Sequence, residues 1–222
     1  FGIGTKLGVW LRPKPEHFAA CYFSANEDSA LGNIIDAVRT MLLHGIVRSS
    51  VNLLHRNRAL TLLTQYPWSE MQGKVPMSED VAIAIARQRK IGAWNGVAAL
   101  YGTREQVGAA KKAIKRLLSR SVSRITFVSE STLRFMEKHK GLFSILTGMN
   151  IPEVIKVIKP SFNILQGVPN EVALSTPYWR MRKRPPEKDI NPAKDNCGCI
   201  WLSPVIPMTR VSVDDFRGIV EP

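Results

Sequence analysis

One stretch, Gly92 to Leu118 (GAWNGVAALYGTREQVGAAKKAIKRLL), constrains the fold most, because it joins an apolar strand directly to an amphipathic helix. Trp94 to Tyr101 carries apolar side chains on both of its faces, as an interior strand does, and Gly102 ends it. Thr103 is placed to cap the following helix, with Gln106 at the third position to complete a capping box. Val107, Ala110, Ile114 and Leu117 recur at spacings of three and four and make one apolar stripe.

The other elements are read around this unit. Leu7 to Leu11 reads as extended, with Pro13 and Pro15 as a hinge, and Ala20 to Ser24 as a short strand. Asn26 is the expected cap of a helix with Glu27 and Asp28 in its first turn. Ala30, Ile34, Val38 and Met41 form its buried stripe, and Gly45 stops it. Ser50 to His55 is a second strand. The poorly patterned residues 57 to 74 read as an insertion loop carrying Tyr66, Pro67 and Trp68, and Ser78 opens a helix to about Lys90. Arg124 to Val128 alternates, with Ile125 and Phe127 on one face, as a fourth strand.

With the inserted helix set aside, the order is strand, helix, strand, strand, helix, strand. That predicts an α+β fold, a ferredoxin-like antiparallel sheet with helices on one face and its first and third strands at the centre. A helix from about Leu133 to Leu146 follows, with Met136, Phe143 and Leu146 as core contacts. Prolines at 152, 160, 169, 177, 185, 186 and 192 are expected to exclude any long regular element through that tract. Cys199 to Pro204 returns to a buried strand, and Val213 to Phe216 starts a helix.

With 222 residues, 45% of them hydrophobic, the chain can bury a substantial core, and no run of eighteen apolar residues suggests a membrane span. Without an initiator Met, and with a strand already in progress at Phe1 to Trp10, the sequence reads as a piece of something longer. Three cysteines (Cys21, Cys197 and Cys199) make no disulfide framework and suggest a reducing, cytoplasmic setting. The four histidines at 17, 44, 55 and 139 lack ligand spacing, so no metal site is expected and the cysteines read as small core or turn residues.

The net charge of +13 permits anionic partners. Lys111, Lys112, Lys115 and Arg116 lie mainly off the apolar stripe of their helix and read as a solvated face. Arg180, Arg182, Lys183 and Arg184, beside Tyr178 and Trp179, either hold an anion or belong to an exposed loop.

Four segments, FGIGTKLGVWLRPKP at 1 to 15, GAWNGVAALYGTREQV at 92 to 107, GVPN with YWR at 167 to 180, and CIWLSPVIP at 199 to 207, resemble in order the flavin-dependent family of 4-cresol dehydrogenase (p-cresol methylhydroxylase) and vanillyl-alcohol oxidase. The resemblance implies that residues 1–15 end an FAD-binding domain, Gly2, Ile3 and Thr5 lying beside the dinucleotide. It implies that 16–222 are most of a cap domain, incomplete at its C-terminus, whose fold includes ferredoxin-like sheet.

Such enzymes oxidise para-substituted phenols by hydride loss from the benzylic carbon to FAD, with the phenolic oxygen held as an anion. Arginine and tyrosine suit that task, since both donate to an oxygen anion. Tyr178 and Arg180 are therefore the expected catalytic residues. In the cresol dehydrogenase a tyrosine seven residues after the Asn of GVPN is bonded to the flavin; here that position is Pro177 and Tyr178 follows it, so Tyr178 is the candidate for attachment. Packing under the loop is the alternative role of Tyr178 and Trp179.

The resemblance also implies a homo-oligomer and, in some members, a cytochrome as electron acceptor. The isolated chain is expected neither to hold FAD firmly nor to turn over. An FAD-dependent 2-hydroxy-acid dehydrogenase is the enzymatic alternative. A basic RNA-binding module is the non-enzymatic one, against which the third strand lacks the required basic-aromatic signature and sets Trp94 and Tyr101 on opposite faces. No nucleic acid and no membrane are therefore expected as partners.

Overall fold

The computed structural model describes residues 14 to 139, 151 to 170 and 176 to 183, together with Gly8, Asp189, Asn191, Lys194 and Asp195. At its centre strand β1 (His17–Ala25) pairs antiparallel with β3 (Trp94–Gly102) along nine residues and with β4 (Arg124–Ser129) along six. Strand β2 (Val51–His55) pairs with the other edge of β3, giving the order β2-β3-β1-β4. The first and third strands are central, as expected, and the connectivity is that of the ferredoxin-like sheet.

Two helices cover one face. Helix α1 (Leu31–Leu43) and helix α4 (Arg104–Leu118) bring Ile34, Val38, Met41, Val107, Ile114 and Leu118 onto Ala19, Cys21, Phe23, Ala98 and Leu100 of the central strands. The expected capping box is present: Gln106 N–H donates to Thr103 Oγ1 at 3.3 Å and Thr103 N–H to Gln106 Oε1 at 3.1 Å. Helix α1 departs from expectation at its start. A 3-10 turn at Asp28–Ala30 leads into it and Ala30 occupies the cap position, while the Asn26 N–H donates to Ser123 Oγ at 3.2 Å and ties the end of β1 to the turn before β4. Gly45, at φ +63°, ends the helix as read, a conformation that an L side chain adopts rarely.

The segment read as an insertion loop is in part a helix. Helix α2 (Arg56–Leu63) follows β2 directly, is capped by His55, whose Nδ1 accepts from Asn57 N–H at 3.4 Å, and buries Ala59 and Leu60. Helix α3 (Glu79–Arg89) packs beside it. Tyr66, Met71, Ala82 and Ala86 join Leu60 in a small core of their own, so the insertion between β2 and β3 is a packed module.

A second correction concerns the proline tract. Helix α5 (Glu130–Lys138), capped by Ser129, is followed by helix α6 (Ile151–Leu165), which contains two of the prolines expected to break it. Pro152 sits in the first turn, where a missing N–H is harmless. Pro160 removes an interior bond, a loss of roughly 3 kcal/mol, but Ile155 and Phe162 are buried against Ala20 and Val128 of the sheet. Tyr101 also donates to the Leu165 carbonyl at 2.7 Å, closing the end of α6, and Asn170 Nδ2 donates to the Pro160 carbonyl at 2.9 Å. Tertiary packing outweighs local propensity here.

The sheet is therefore covered on both faces, by α1 and α4 on one and by α5 and α6 on the other, a second layer absent from the sequence expectation. Of the long helix expected from Leu133, Leu133 is buried and Met136 half-buried, whereas Phe143 and Leu146 lie outside the described residues. The expected elements at Leu7 to Leu11, Cys199 to Pro204 and Val213 to Phe216 lie outside them too.

Two glycines test this packing in opposite directions. A Cβ on Gly92 would sit 2.3 Å from the Ala25 carbonyl oxygen, whereas one on Gly108, inside α4, would meet nothing within 4 Å. Gly92→Ala should destabilise the fold by about 1–3 kcal/mol and Gly108→Ala should stabilise it by about 0.5–1 kcal/mol, read as opposite shifts of the urea midpoint at unchanged slope.

Candidate functional site

Tyr178 and Arg180 lie in the segment 176 to 183, which folds back on the α2–α3 module. Thr176, Tyr178 and Trp179 are all buried there, Tyr178 to 1% exposure, while Arg180, Arg182 and Lys183 reach solvent. Trp179 meets the Tyr66 ring edge-on at 5.0 Å, and Trp68 lies against the same ring at 4.5 Å. The Arg182 guanidinium stacks 4.6 Å above Trp68, in the range of a cation–π contact. Burial pushes the Tyr66 hydroxyl above its ordinary pKa, and the charge of Arg180 works in the opposite direction. That hydroxyl donates to the Lys74 carbonyl at 2.8 Å.

The Tyr178 hydroxyl is engaged. It donates to Asp195, whose Oδ2 also accepts from the Asn191 N–H at 2.7 Å. The Tyr178 bond first, and the backbone bond second, hold the Asp195 carboxyl below its ordinary pKa. The expected attachment residue is thus the anchor of its own segment, with its oxygen committed inside the protein. Gly2, Ile3 and Thr5, the other expected flavin contacts, and Arg184 of the basic cluster lie outside the described residues.

Sequence reasoning did not join Trp68 and Tyr66 to Trp179, since nothing in the local pattern relates them. The indole N–H groups of Trp68 and Trp179 and the Arg56 Nε are buried without a hydrogen-bond partner among the described residues. Arg56, nearly buried itself, forms an ion pair with Glu79 at the start of α3. An unpaired buried donor costs about 1–3 kcal/mol, so the module would gain from any acceptor that reached these donors. Chemically it offers positive charge and N–H donors around aromatic rings, a setting suited to an anionic oxygen.

Other features carry less chemistry. An open depression of about 270 Å³ between the end of α1 and α4, lined by His44, Arg48, Tyr101 and Gln106 among others, shares no residue with the 176 to 183 segment. Among the described residues no group of three or more His, Cys, Asp or Glu could hold a metal, and no helix is long and apolar enough to cross a membrane. Cys21 is buried in β1, and burial, opposed by nearby Lys111, pushes its thiol up to about 12. Cys197 and Cys199 lie outside the described residues.

The Tyr178–Asp195 contact has a definite pH signature. Because the folded carboxyl titrates below its unfolded value, its stabilisation is present above the unfolded pKa and is lost as pH falls through the folded one. Tyr178→Phe should lower the Tm at neutral pH, and the gap to the unaltered protein should close under acid; thermal melts of the two proteins from neutral to strongly acidic pH check this.

No family model matches the chain. It is similar to 1'-carboxy-chondrochloren decarboxylase of Chondromyces crocatus, at 32% identity over 220 residues, 99% of this chain and 40% of that protein. A shorter match, 32% over 109 residues, covers 48% of this chain and 20% of the 4-cresol dehydrogenase [hydroxylating] flavoprotein subunit of Pseudomonas putida. The chain thus spans well under half the length of these relatives. Among solved structures, p-cresol methylhydroxylase with substrate bound superposes on 77% of the chain with a TM-score of 0.56 at 24% identity, using 29% of its own length. The isoeugenol complex of 4-ethylphenol oxidase from Gulosibacter chungangensis superposes on 76% with a TM-score of 0.58 at 15% identity, also using 29% of its length. These two likenesses speak to fold alone. In sequence the chain is thus distantly and partially similar to the 4-cresol dehydrogenase flavoprotein subunit, and in fold it matches p-cresol methylhydroxylase.

Proposed function

We propose that the chain is the substrate-covering part of an FAD-dependent oxidoreductase that oxidises a para-substituted phenol at its benzylic carbon. The observation that carries this reading is the concurrence of fold, over three quarters of the chain, with two enzymes whose names specify cresol and ethylphenol. In it residues 1–15 close an FAD-binding domain and 16–222 form the cap. FAD, when bound, supplies the hydride acceptor. The chain's own part is to orient the phenol and hold negative charge on its oxygen, a task for preorganised donors in a site that excludes water.

Arg180 is the residue assigned to the phenolic oxygen. Its side chain reaches solvent directly after the buried Tyr178 and Trp179, and a guanidinium is a planar cation with several N–H donors suited to an oxygen anion. Tyr178, two residues earlier, positions it by locking the segment to Asp195. As folded, the described residues do not fit covalent attachment of flavin at Tyr178, because that bond to Asp195 would have to open first. The protein acts as a homo-oligomer in the same proposal, with molecular oxygen or a cytochrome as final acceptor.

A second reading rests on the match that runs along 99% of the chain, to a protein named as a decarboxylase. A carboxylated aromatic substrate would then lose CO2, the electron pair of the broken C–C bond staying on the substrate carbon. A cation such as Arg180 would bind the carboxylate before it leaves. Trapping labelled CO2 from a carboxylated phenol, beside benzylic alcohol formation from a plain alkylphenol, separates the two.

The isolated chain should show an intact mass equal to its sequence and no flavin band in the visible. The full-length protein should hold FAD, and Arg180→Ala in it should lower kcat/KM for the phenol by about 10²-fold while leaving the flavin spectrum intact. Unchanged kcat/KM would remove Arg180 from the site, and flavin surviving denaturation would restore Tyr178 as its point of attachment.

A further inference from the structure

We propose that the outer face of α4, continued through the turn into β4, is a docking surface for an acidic helix of a partner protein. Lys111, Lys112, Lys115, Arg116, Arg120 and Arg124 fall within one short stretch, and among the described residues none of them pairs with a carboxylate. Ion pairs form elsewhere in the same protein: Arg39 with Asp36, Arg134 with Glu130, Lys159 with Glu137. The helix dipole accounts for cations in the last turn, Lys115 and Arg116. It does not account for Lys111 and Lys112 before that turn or for Arg120 and Arg124 after it. Like charges four residues apart oppose helix formation, and among the described residues no carboxylate pairs with them to offset it.

The arrangement is ordered. On α4 Lys111 and Lys115 make one row and Lys112 and Arg116 a second, the two members of each about 6 Å apart along the helix axis, and Arg120 follows in the turn after the helix ends at Leu118. Carboxylates at every fourth position of a partner helix repeat at the same distance. The Lys111 and Lys115 ammonium groups lie 5.7 and 5.9 Å from the centroid of the Phe127 ring on β4, which holds their stems down before any partner arrives. Preordering of long side chains reduces the entropy lost on docking.

Charge alone would also suit nucleic acid or an anionic membrane. The large apolar residues that are most exposed, Leu43, Leu63, Val75, Phe135, Ile164 and Val168, all belong to other elements. The only ring beside the strip among the described residues is that of Phe127, half-buried and already covered by Lys111 and Lys115, and the strip has no exposed apolar wedge for insertion between lipids. Regular cations without exposed apolar contacts favour the carboxylates of a protein surface.

The test uses the full chain and an alanine-based helical peptide with glutamate at every fourth position, followed by fluorescence anisotropy over a range of salt. Reversing three exposed members, Lys112→Glu, Arg116→Glu and Arg120→Glu, should weaken binding by at least about tenfold. Reversing three exposed cations elsewhere, Lys74→Glu, Lys138→Glu and Lys183→Glu, alters net charge equally and should weaken it by less than about threefold. If the strip reversal unfolds the chain, the neutral triple of Lys112→Gln, Arg116→Gln and Arg120→Gln is read in its place against a matching control. Equal losses in strip and control, or no binding of the peptide, overturn the proposal. So does tighter binding of oligothymidylate or phosphatidylserine-containing vesicles at the same salt.

Discussion

Nine consecutive backbone pairs between β1 and β3, from His17 against Gly102 to Ala25 against Trp94, fix which residues of the two central strands face which layer. A slip of one residue would exchange the faces of every side chain. It would turn Ala19, Cys21 and Phe23 away from α1 and α4, and Ala20 and Tyr22 away from α6. Phe23 reinforces the register, because its ring occupies the space above Gly96, its direct cross-strand partner; a Cβ there would approach ring atoms to about 2 Å. Gly92 does the same just outside β3, under the Ala25 carbonyl. The capping box of α4 follows from this register too, since Gly102 ends the strand and hands the chain to Thr103.

What could be read in the sequence follows from how local each determinant is. The β3–α4 unit was legible because the apolar strand, the glycine, the cap and the stripe lie within one run, and each is set by its immediate neighbours. The sheet order was legible because a nearly all-apolar strand is central almost anywhere it occurs. Helix α2 was not, because its cap is a histidine rather than a short polar residue and its buried side is only Ala59 and Leu60. Helix α6 was hidden by the ordinary rule for proline. Its stabilisation comes from Ile155 and Phe162 meeting the far side of the sheet, and from a tyrosine on β3 closing its C-terminus. No window of sequence around Pro160 contains those partners.

The candidate site divides in the same way. Tyr178 and Arg180 could be picked out by their place after the GVPN run, and the basic character of the segment was plain. Their surroundings were not. Tyr66 and Trp68 come from the insertion between β2 and β3, and only folding sets them against Trp179, with Arg182 over the Trp68 ring. The partner of the Tyr178 hydroxyl, Asp195, lies past a further run of prolines and carries no local signal of its role. Long-range polar contacts of this kind depend on where two loops end, and periodicity says nothing about that.

Covering the second face also decides what the sheet itself is for. A single-strand-binding module of the same topology keeps one sheet face open and sets its aromatic rings there to stack on bases. Here Trp94 and Tyr101 sit on opposite faces, and both are used in packing. Trp94 lies in the α1–α4 layer and donates its indole N–H to Asp28 at 2.8 Å, while Tyr101 packs on Phe18 at 5.5 Å and donates to α6. Opening that face would strip Phe162 from the Phe18 ring and Tyr22 from Ser161. A helix–sheet–helix sandwich of this kind is a scaffold, and recognition passes to what the scaffold holds at its margins. Those margins are the aromatic and basic module between β2 and β3, where the donors without a partner among the described residues collect, and the cationic face of α4.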